Sequence, residues 1–215
     1  EFRRVLFRSP AFVDYIKTQY PDLIDNISTS VSPMIATSRL IRETDPDARI
    51  IFIGPCVAKK AEATYDNLKD DIQYVMSFEE LLAFLDAYEI EPSECEGSPL
   101  DNASYYGRIF ARSGGVTEAI KNSIYEQKLD VELKPVICDG LDECAKALRL
   151  AKMGKLNGNF IEGMACKGGC VNGPLSLFKK VTGTNIINSH ANTAKEKTIS
   201  DSIRVFDLDK INLEL

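Results

Sequence analysis

Five residues, Arg49-Ile50-Ile51-Phe52-Ile53, constrain the fold most. The run is β-branched and apolar and lacks the polar alternation of a half-solvated strand, so it reads as a strand covered on both faces, as in parallel sheets. Gly54 and Pro55 stop it. Strand patterns also occur at Gln73–Met76, Val131–Cys138 and Asn159–Glu162, and helical patterns fall between them. Pro10 suits a first helical turn, Phe12, Val13, Ile16 and Tyr20 follow at helical spacing, and Pro21 ends the run. Further helices are expected at Pro33–Glu43, Ala58–Leu68, Phe78–Tyr88, Gly114–Tyr125, Leu141–Ala151, near Pro174–Val181, and over Thr193–Val205 as a charged amphipathic helix. Ser77 is placed to cap the Phe78 helix, with Glu80 as its capping-box partner. Glu91–Ser104, with Pro92, Gly97 and Pro99, reads as an irregular loop. Strands alternating with helices imply an α/β fold, a mostly parallel sheet flanked by helices. In such sheets functional residues gather in loops at the carboxyl ends of the strands.

The 215 residues, 44% hydrophobic and 27% charged, suffice for one large domain or two small lobes with a real core. No apolar stretch approaches the roughly eighteen residues of a spanning helix, so no membrane span is expected. A net charge of −6 with scattered Lys and Arg leaves no basic stripe for phosphates, which excludes nucleic acid as a partner. Six cysteines against one histidine disfavour His-based acid–base chemistry and His-rich metal sites. Six in 215 is sparse for a secreted disulfide scaffold, and no signal peptide is recognisable. Reduced thiols, some of them metal ligands, in a cytoplasmic protein are the expectation. The first nine residues, EFRRVLFRS, mix three Arg with apolar residues and carry no cap or turn signal. Residues 1–9 therefore read as a non-native segment and 10–215 as the domain.

Two cysteine-bearing segments leave strands at carboxyl ends. In Gly54-Pro55-Cys56-Val57-Ala58-Lys59-Lys60-Ala61-Glu62, a thiol at the opening of a helix meets the helix's positive end, which favours the thiolate. Lys59, one turn on, could hold an anion beside the sulfur. Taken alone, a buried Cys in a turn, with Lys59 and Glu62 as an i,i+3 surface pair, is the simpler account. The second segment runs from Glu162 to Pro174 and holds Cys166-Lys167-Gly168-Gly169-Cys170. Glycines between the two thiols let backbone N–H groups approach an inorganic cluster, and sulfur-rich sites favour iron–sulfur or zinc. Zinc would need a C-x-x-C or His partner, and neither is present. Incidental thiols in a Gly-rich loop are the alternative, although glycines separating cysteines are unusual for packing alone.

Pro-Cys-x-x-Lys-x-x-Glu at Pro55–Glu62, followed by Glu-x-Met-Ala-Cys-x-x-Gly-Cys at Glu162–Cys170, resembles the second and third signature segments of the iron-only (FeFe) hydrogenases. Ser113-Gly114-Gly115-Val116-Thr117-Glu118-Ala119 resembles that family's Thr-Gly-Gly-Val-x-Glu-Ala helix start, and Pro10–Pro33 is similar to the family as well. The resemblance runs from Pro10 to about Lys180. It implies part of a two-lobed catalytic domain, mainly the second lobe, which encloses the H-cluster: a 4Fe-4S cubane joined through one Cys to a two-iron subcluster with CO, cyanide and a dithiolate. By motif position it implies Cys56 and Cys166 as cubane ligands, and Cys170 as the bridging thiolate. Lys59 would donate hydrogen bonds to cyanide, Pro55 and Met164 would line the two-iron pocket, and Ser28 would belong to a proton relay. A surface or capping serine is the plain alternative for Ser28.

Three departures from the family pattern stand out. Where the family has Thr-Ser-Cys-Cys-Pro, this chain has Arg8-Ser9-Pro10. That leaves Ser9 where a cubane Cys belongs and Arg8 where the relay Cys belongs, so the fourth cubane thiolate is absent. Gly54 stands where the most active enzymes carry Met, and Val171-Asn172-Gly173-Pro174 replaces a Gly-rich continuation. The last two changes resemble the divergent, sensory branches. Cys95, Cys138 and Cys144 read as structural, His190 as solvated, and Asp139, Asp142 and Glu143 as a solvent-facing helix start.

The resemblance implies an iron-only hydrogenase that interconverts dihydrogen with protons and electrons in anaerobic hydrogen metabolism. Its implied partners are a missing N-terminal lobe, an upstream ferredoxin-like cluster domain and an electron carrier such as ferredoxin, and the truncated chain alone is expected to be inactive. Alternatives are a sensory dihydrogen-binding hydrogenase, or a hydrogenase-like iron–sulfur assembly protein without turnover. Lys59, Met164 and Glu62 favour a hydrogenase over the assembly protein.

Overall fold

The computed structural model describes residues 4–5, 9–97, 103–177, 183–204 and 206–215. In chain order its elements are β1 (Arg4–Val5), α1 (Pro10–Gln19), α2 (Pro33–Thr44), β2 (Ile51–Ile53), α3 (Val57–Glu62), β3 (Tyr74–Met76), α4 (Phe78–Ala87), α5 (Tyr105–Arg108), α6 (Gly115–Glu126), β4 (Pro135–Asp139), α7 (Leu141–Lys152), β5 (Phe160–Met164), α8 (Gly183–Asn192) and α9 (Ile199–Ile203). The fold is α/β and the named strands pair in parallel, but they form two small sheets. One has the order β1-β5-β4 and the other joins β2 to β3. β4 and β5 run in register from Pro135↔Phe160 to Asp139↔Met164, and β2 and β3 from Ile51↔Tyr74 to Ile53↔Met76. Among the described residues no helix is long and apolar enough to cross a membrane.

β5 sits between β1 and β4 and is buried along its whole length. Phe12 and Ile16 of α1 and Cys144, Ala147, Leu148 and Ala151 of α7 join Ile161 in the core beside it. Each of the large ones, Phe12, Ile16, Leu148 and Ile161, contributes roughly 1.5–3 kcal/mol by leaving water. Gly163 is required by this packing, because a Cβ there would lie 2.2 Å from Phe12 Cε1. A second core gathers Val31, Met34, Ile35, Ile50, Leu68 and Ile72.

Several elements follow local signals. Pro10 opens α1, and Ser77 and Glu80 form a complete capping box on α4. Others differ from the pattern. α3 stops at Glu62 instead of continuing to Leu68, because the chain tightens into successive turns and Tyr65 reaches across to the Asp14 carboxylate at 3.0 Å. β4 starts at Pro135, not Val131: the Asn159 side chain takes the Lys134 N–H at 2.7 Å and donates to the Glu132 carbonyl at 2.7 Å, replacing ladder bonds there. α9 begins only after Thr198, whose hydroxyl accepts from the Asp201 N–H at 3.0 Å. α5 starts at a Ser104 cap, whose hydroxyl accepts from the Gly107 N–H at 3.3 Å, whereas α8 carries no strong local signal. The helix expected at Pro174–Val181 lies partly outside the described residues, and its described part, 174–177, is not helical.

Candidate metal centre

Cys56 follows β2 directly after Gly54 and Pro55 and takes the N-cap position of α3 in an extended conformation, φ −114° and ψ 113°. Its side chain makes no capping hydrogen bond, so the thiol is not committed to the helix. α3 is only six residues long, a shorter dipole than the pattern to Leu68 implied.

Cys166 and Cys170 belong to the loop that leaves β5 after Met164. Gly168 and Gly169 adopt φ +80° and +92°, a region that L side chains rarely enter. Gly169 packs against the backbone before α6, where a Cβ would stand 2.6 Å from both Arg112 Cα and the Ser113 nitrogen. Gly173 packs on Pro55, and a Cβ there would lie 2.3 Å from the Pro55 carbonyl oxygen. Pro55 also accepts from the Leu175 N–H at 3.1 Å. These contacts bring the Cys56 turn and the Cys166–Cys170 loop together.

The electrostatics register that convergence. Burial pushes the Cys170 thiol up to about 11, the nearby Cys56 and Cys166 thiols add to the rise, and Lys59 opposes it. Burial also raises Cys166, with Cys56 contributing. Three half-buried free thiols from two loops, with one ammonium beside them, make up the centre. The donor set suits an iron–sulfur cluster, which takes thiolates, and the glycine loop presents its backbone closely beside them. Among the described residues no three His, Cys, Asp or Glu side chains form a group that could hold a single metal ion.

Lys59 donates to Glu62 Oε2 at 2.6 Å and to Ser32 Oγ at 2.8 Å, and Glu62 and Ser32 are buried. The Lys59–Glu62 pair is therefore enclosed, contrary to the surface-pair reading. Met164 is buried as the last residue of β5, and its carbonyl accepts from the Gly140 N–H at 2.8 Å. Ser28 is buried, not on the surface, and its Oγ accepts from the Ser30 N–H at 3.2 Å. Ser9 is buried at the N-cap of α1 without a side-chain cap bond.

Two acidic residues named in the sequence take structural roles at the site that sequence reasoning missed. Glu162, fully buried, accepts from the Gly114 and Thr117 N–H groups at 2.8 Å each, tying the start of α6 to β5. Asp139 corrects the solvent-facing reading: its Oδ1 accepts from the Gly168 N–H at 2.6 Å and from the Ser113 hydroxyl. Asp142 and Glu143 are exposed as expected. His190 is exposed as well, and of the three cysteines read as structural, Cys138 and Cys144 are buried and Cys95 is exposed. Cys138 Sγ lies 4.0 Å from the Val136 carbonyl oxygen and Cys144 Sγ 3.8 Å from that of Met164, and the neighbouring Cys138 thiol together with burial pushes Cys144 up.

The chain is 26% identical to iron hydrogenase 1 of Clostridium pasteurianum, over 88% of its own length and 42% of that protein. It is 27% identical to the periplasmic Fe hydrogenase large subunit of Nitratidesulfovibrio vulgaris, over 76% of the chain and 49% of the relative. A probable cytosolic Fe-S cluster assembly factor of Brugia malayi is 28% identical over 76% of the chain and 46% of its own length. The chain thus spans less than half the length of these curated relatives. A solved FeFe-hydrogenase described for stepwise H-cluster assembly superposes with TM-score 0.69 at 20% identity, over 97% of this chain and 71% of that one. An FeFe-hydrogenase from Chlamydomonas reinhardtii gives 0.68 at 19% identity, over 97% and 71%. These likenesses share the fold described above. The family described as iron only hydrogenase large subunit, C-terminal domain, matches residues 7–174, and the chain belongs to that family.

Proposed function

We propose that residues 10–215 are the cluster-bearing part of an iron-only hydrogenase catalytic domain, and that residues 1–9 are foreign to it. In this reading the parent protein interconverts dihydrogen with protons and electrons in the cytoplasm. It draws on a preceding lobe, an upstream ferredoxin-like cluster domain and a ferredoxin-type electron carrier. The observation that supports the reading is the packing of Gly173 on Pro55, which sets the Cys56 turn against the Cys166–Cys170 loop on motifs that match the family's.

Cys56 and Cys166 would hold the 4Fe-4S cubane, and Cys170 would be the third thiolate ligand of the cluster. When bound, that group would supply the redox chemistry. Lys59 presents a point cation to an anionic diatomic ligand, with Glu62 and Ser32 fixing its ammonium. Pro55 and Met164 would line the two-iron subcluster, and Ser28, itself buried, would carry a proton toward it. Ser9 leaves the cubane one thiolate short, so the chain as it stands does not turn over.

A cluster carrier without turnover is the second reading, favoured by the likeness to the Brugia malayi assembly factor over 76% of the chain. The two separate in a protein that carries the native residues preceding Pro10. Infrared bands of iron-bound CO and cyanide, with dihydrogen evolution from a reduced mediator, support the hydrogenase. An intact cubane without those bands supports the carrier and overturns the hydrogenase reading.

A further inference from the structure

We infer that Asp139 is the positioning residue of the Cys166–Cys170 loop. Its carboxylate holds the central N–H of that loop and sets a negative charge beside whatever the two thiols bind. The inference rests on the proposed cluster role of those thiols.

Asp139 ends β4, opposite Met164 in the ladder, and so is anchored on the strand from whose neighbour the loop departs. Its backbone is occupied on both sides: its N–H donates to Glu143 Oε2 at 2.9 Å, and the next N–H, of Gly140, donates to the Met164 carbonyl at 2.8 Å. From this fixed point Oδ1 takes the Gly168 N–H at 2.6 Å and the Ser113 hydroxyl. One carboxylate oxygen therefore joins the end of β4, the segment before α6 and the middle of the cysteine loop.

The loop needs such a tether. Gly168 and Gly169 both adopt positive φ and have no side chains to lodge in a pocket. Glycine backbone is costly to order, and a hydrogen bond to a charged acceptor is about twice as strong as a neutral one. The bond also commits an N–H that would otherwise be free to donate to a bound sulfide. A carboxylate close to an iron–sulfur centre disfavours the added electron, so Asp139 holds the potential of a bound cluster down.

The test compares wild-type, Asp139→Ala and Asp139→Asn chains. In the metal-free proteins, backbone hydrogen exchange over residues 166–170 and alkylation of Cys166 and Cys170 report loop order. After anaerobic loading with iron and sulfide, iron content and the midpoint potential report the cluster. Asp139→Ala is expected to exchange roughly tenfold to a hundredfold faster in the loop and to lose much of its iron. Asp139→Asn keeps an acceptor oxygen, so it is expected to retain protection and iron while its potential rises. An alanine variant with wild-type loop exchange overturns the positioning role, and an asparagine variant with an unchanged potential overturns the electrostatic one. Should Asp139→Ala fail to fold, Asp139→Asn still decides through its potential. Should wild type take up no iron, the cluster reading fails, while the exchange comparison still decides whether Asp139 orders the loop.

Discussion

The β4–β5 half and the β2–β3 half use the same strand–loop–helix logic but are finished differently. β5 is buried from end to end, although its neighbour β4 leaves Ile137 46% exposed; β2 leaves Ile51 49% and Ile53 40% exposed, β3 leaves Tyr74 65% exposed, and no residue of β2 or β3 is fully buried. α7 sinks Cys144, Ala147, Leu148 and Ala151 into the core, whereas α4, despite its capping box, buries none of its residues. The thiols are divided between the halves, with Cys56 on the open one and Cys166 and Cys170 on the closed one. Rigidity at the site must therefore come from β4–β5 and from the contact of Gly173 with Pro55.

The contrast is broken most readily in the closed half. Phe12→Ala removes a fully buried ring packed on Gly163 and is expected to cost about 3–5 kcal/mol, much of a typical margin of about 5–15 kcal/mol, read by thermal denaturation. Glu162→Ala strands the Gly114 and Thr117 N–H groups in the interior, and a loss of about 2–4 kcal/mol is expected. A smaller effect comes from pH. The fold holds the Cys170 proton more tightly than the unfolded chain does, so this contribution is intact below about pH 9 and is lost as pH rises toward about 11. Urea midpoints of the metal-free protein should fall across that window, and less so in Cys170→Ser. Least is expected of Ile51→Thr, within about 0.5 kcal/mol by the same melts. A loss there as large as that of Phe12→Ala would erase the distinction between the halves.

A different contrast, between local signals and distant contacts, explains what the sequence disclosed. α1 and α4 were legible because their signals are local, Pro10 in one and the Ser77–Glu80 box in the other. α8 opens on Gly183 and owes its place to distant partners: Arg112 donates to Asn188 at 2.7 Å, and Arg108 to the His190 carbonyl at 3.0 Å. The division of the strands into two sheets was equally hidden, since apolar runs do not say which strands pair. At the site, the cysteines and Lys59 stood out because each motif is contiguous. Ser32 and Asp139 did not, because their roles arise from contacts with Lys59 and Gly168 across long stretches of chain. A carboxylate at a helix start looks the same in sequence whether it faces water or a loop.

In the proposed function Cys56, Cys166 and Cys170 together bind an iron–sulfur cluster. Anaerobic loading with ferrous iron and sulfide, followed by iron and sulfide analysis and electron paramagnetic resonance of the reduced sample, tests it most directly. A cluster signal is expected in the wild-type chain, abolished in Cys166→Ser and unchanged in Cys95→Ser, with a greater iron content in Ser9→Cys. A wild-type chain that takes up no iron, or a signal that survives the loss of Cys166, would contradict it.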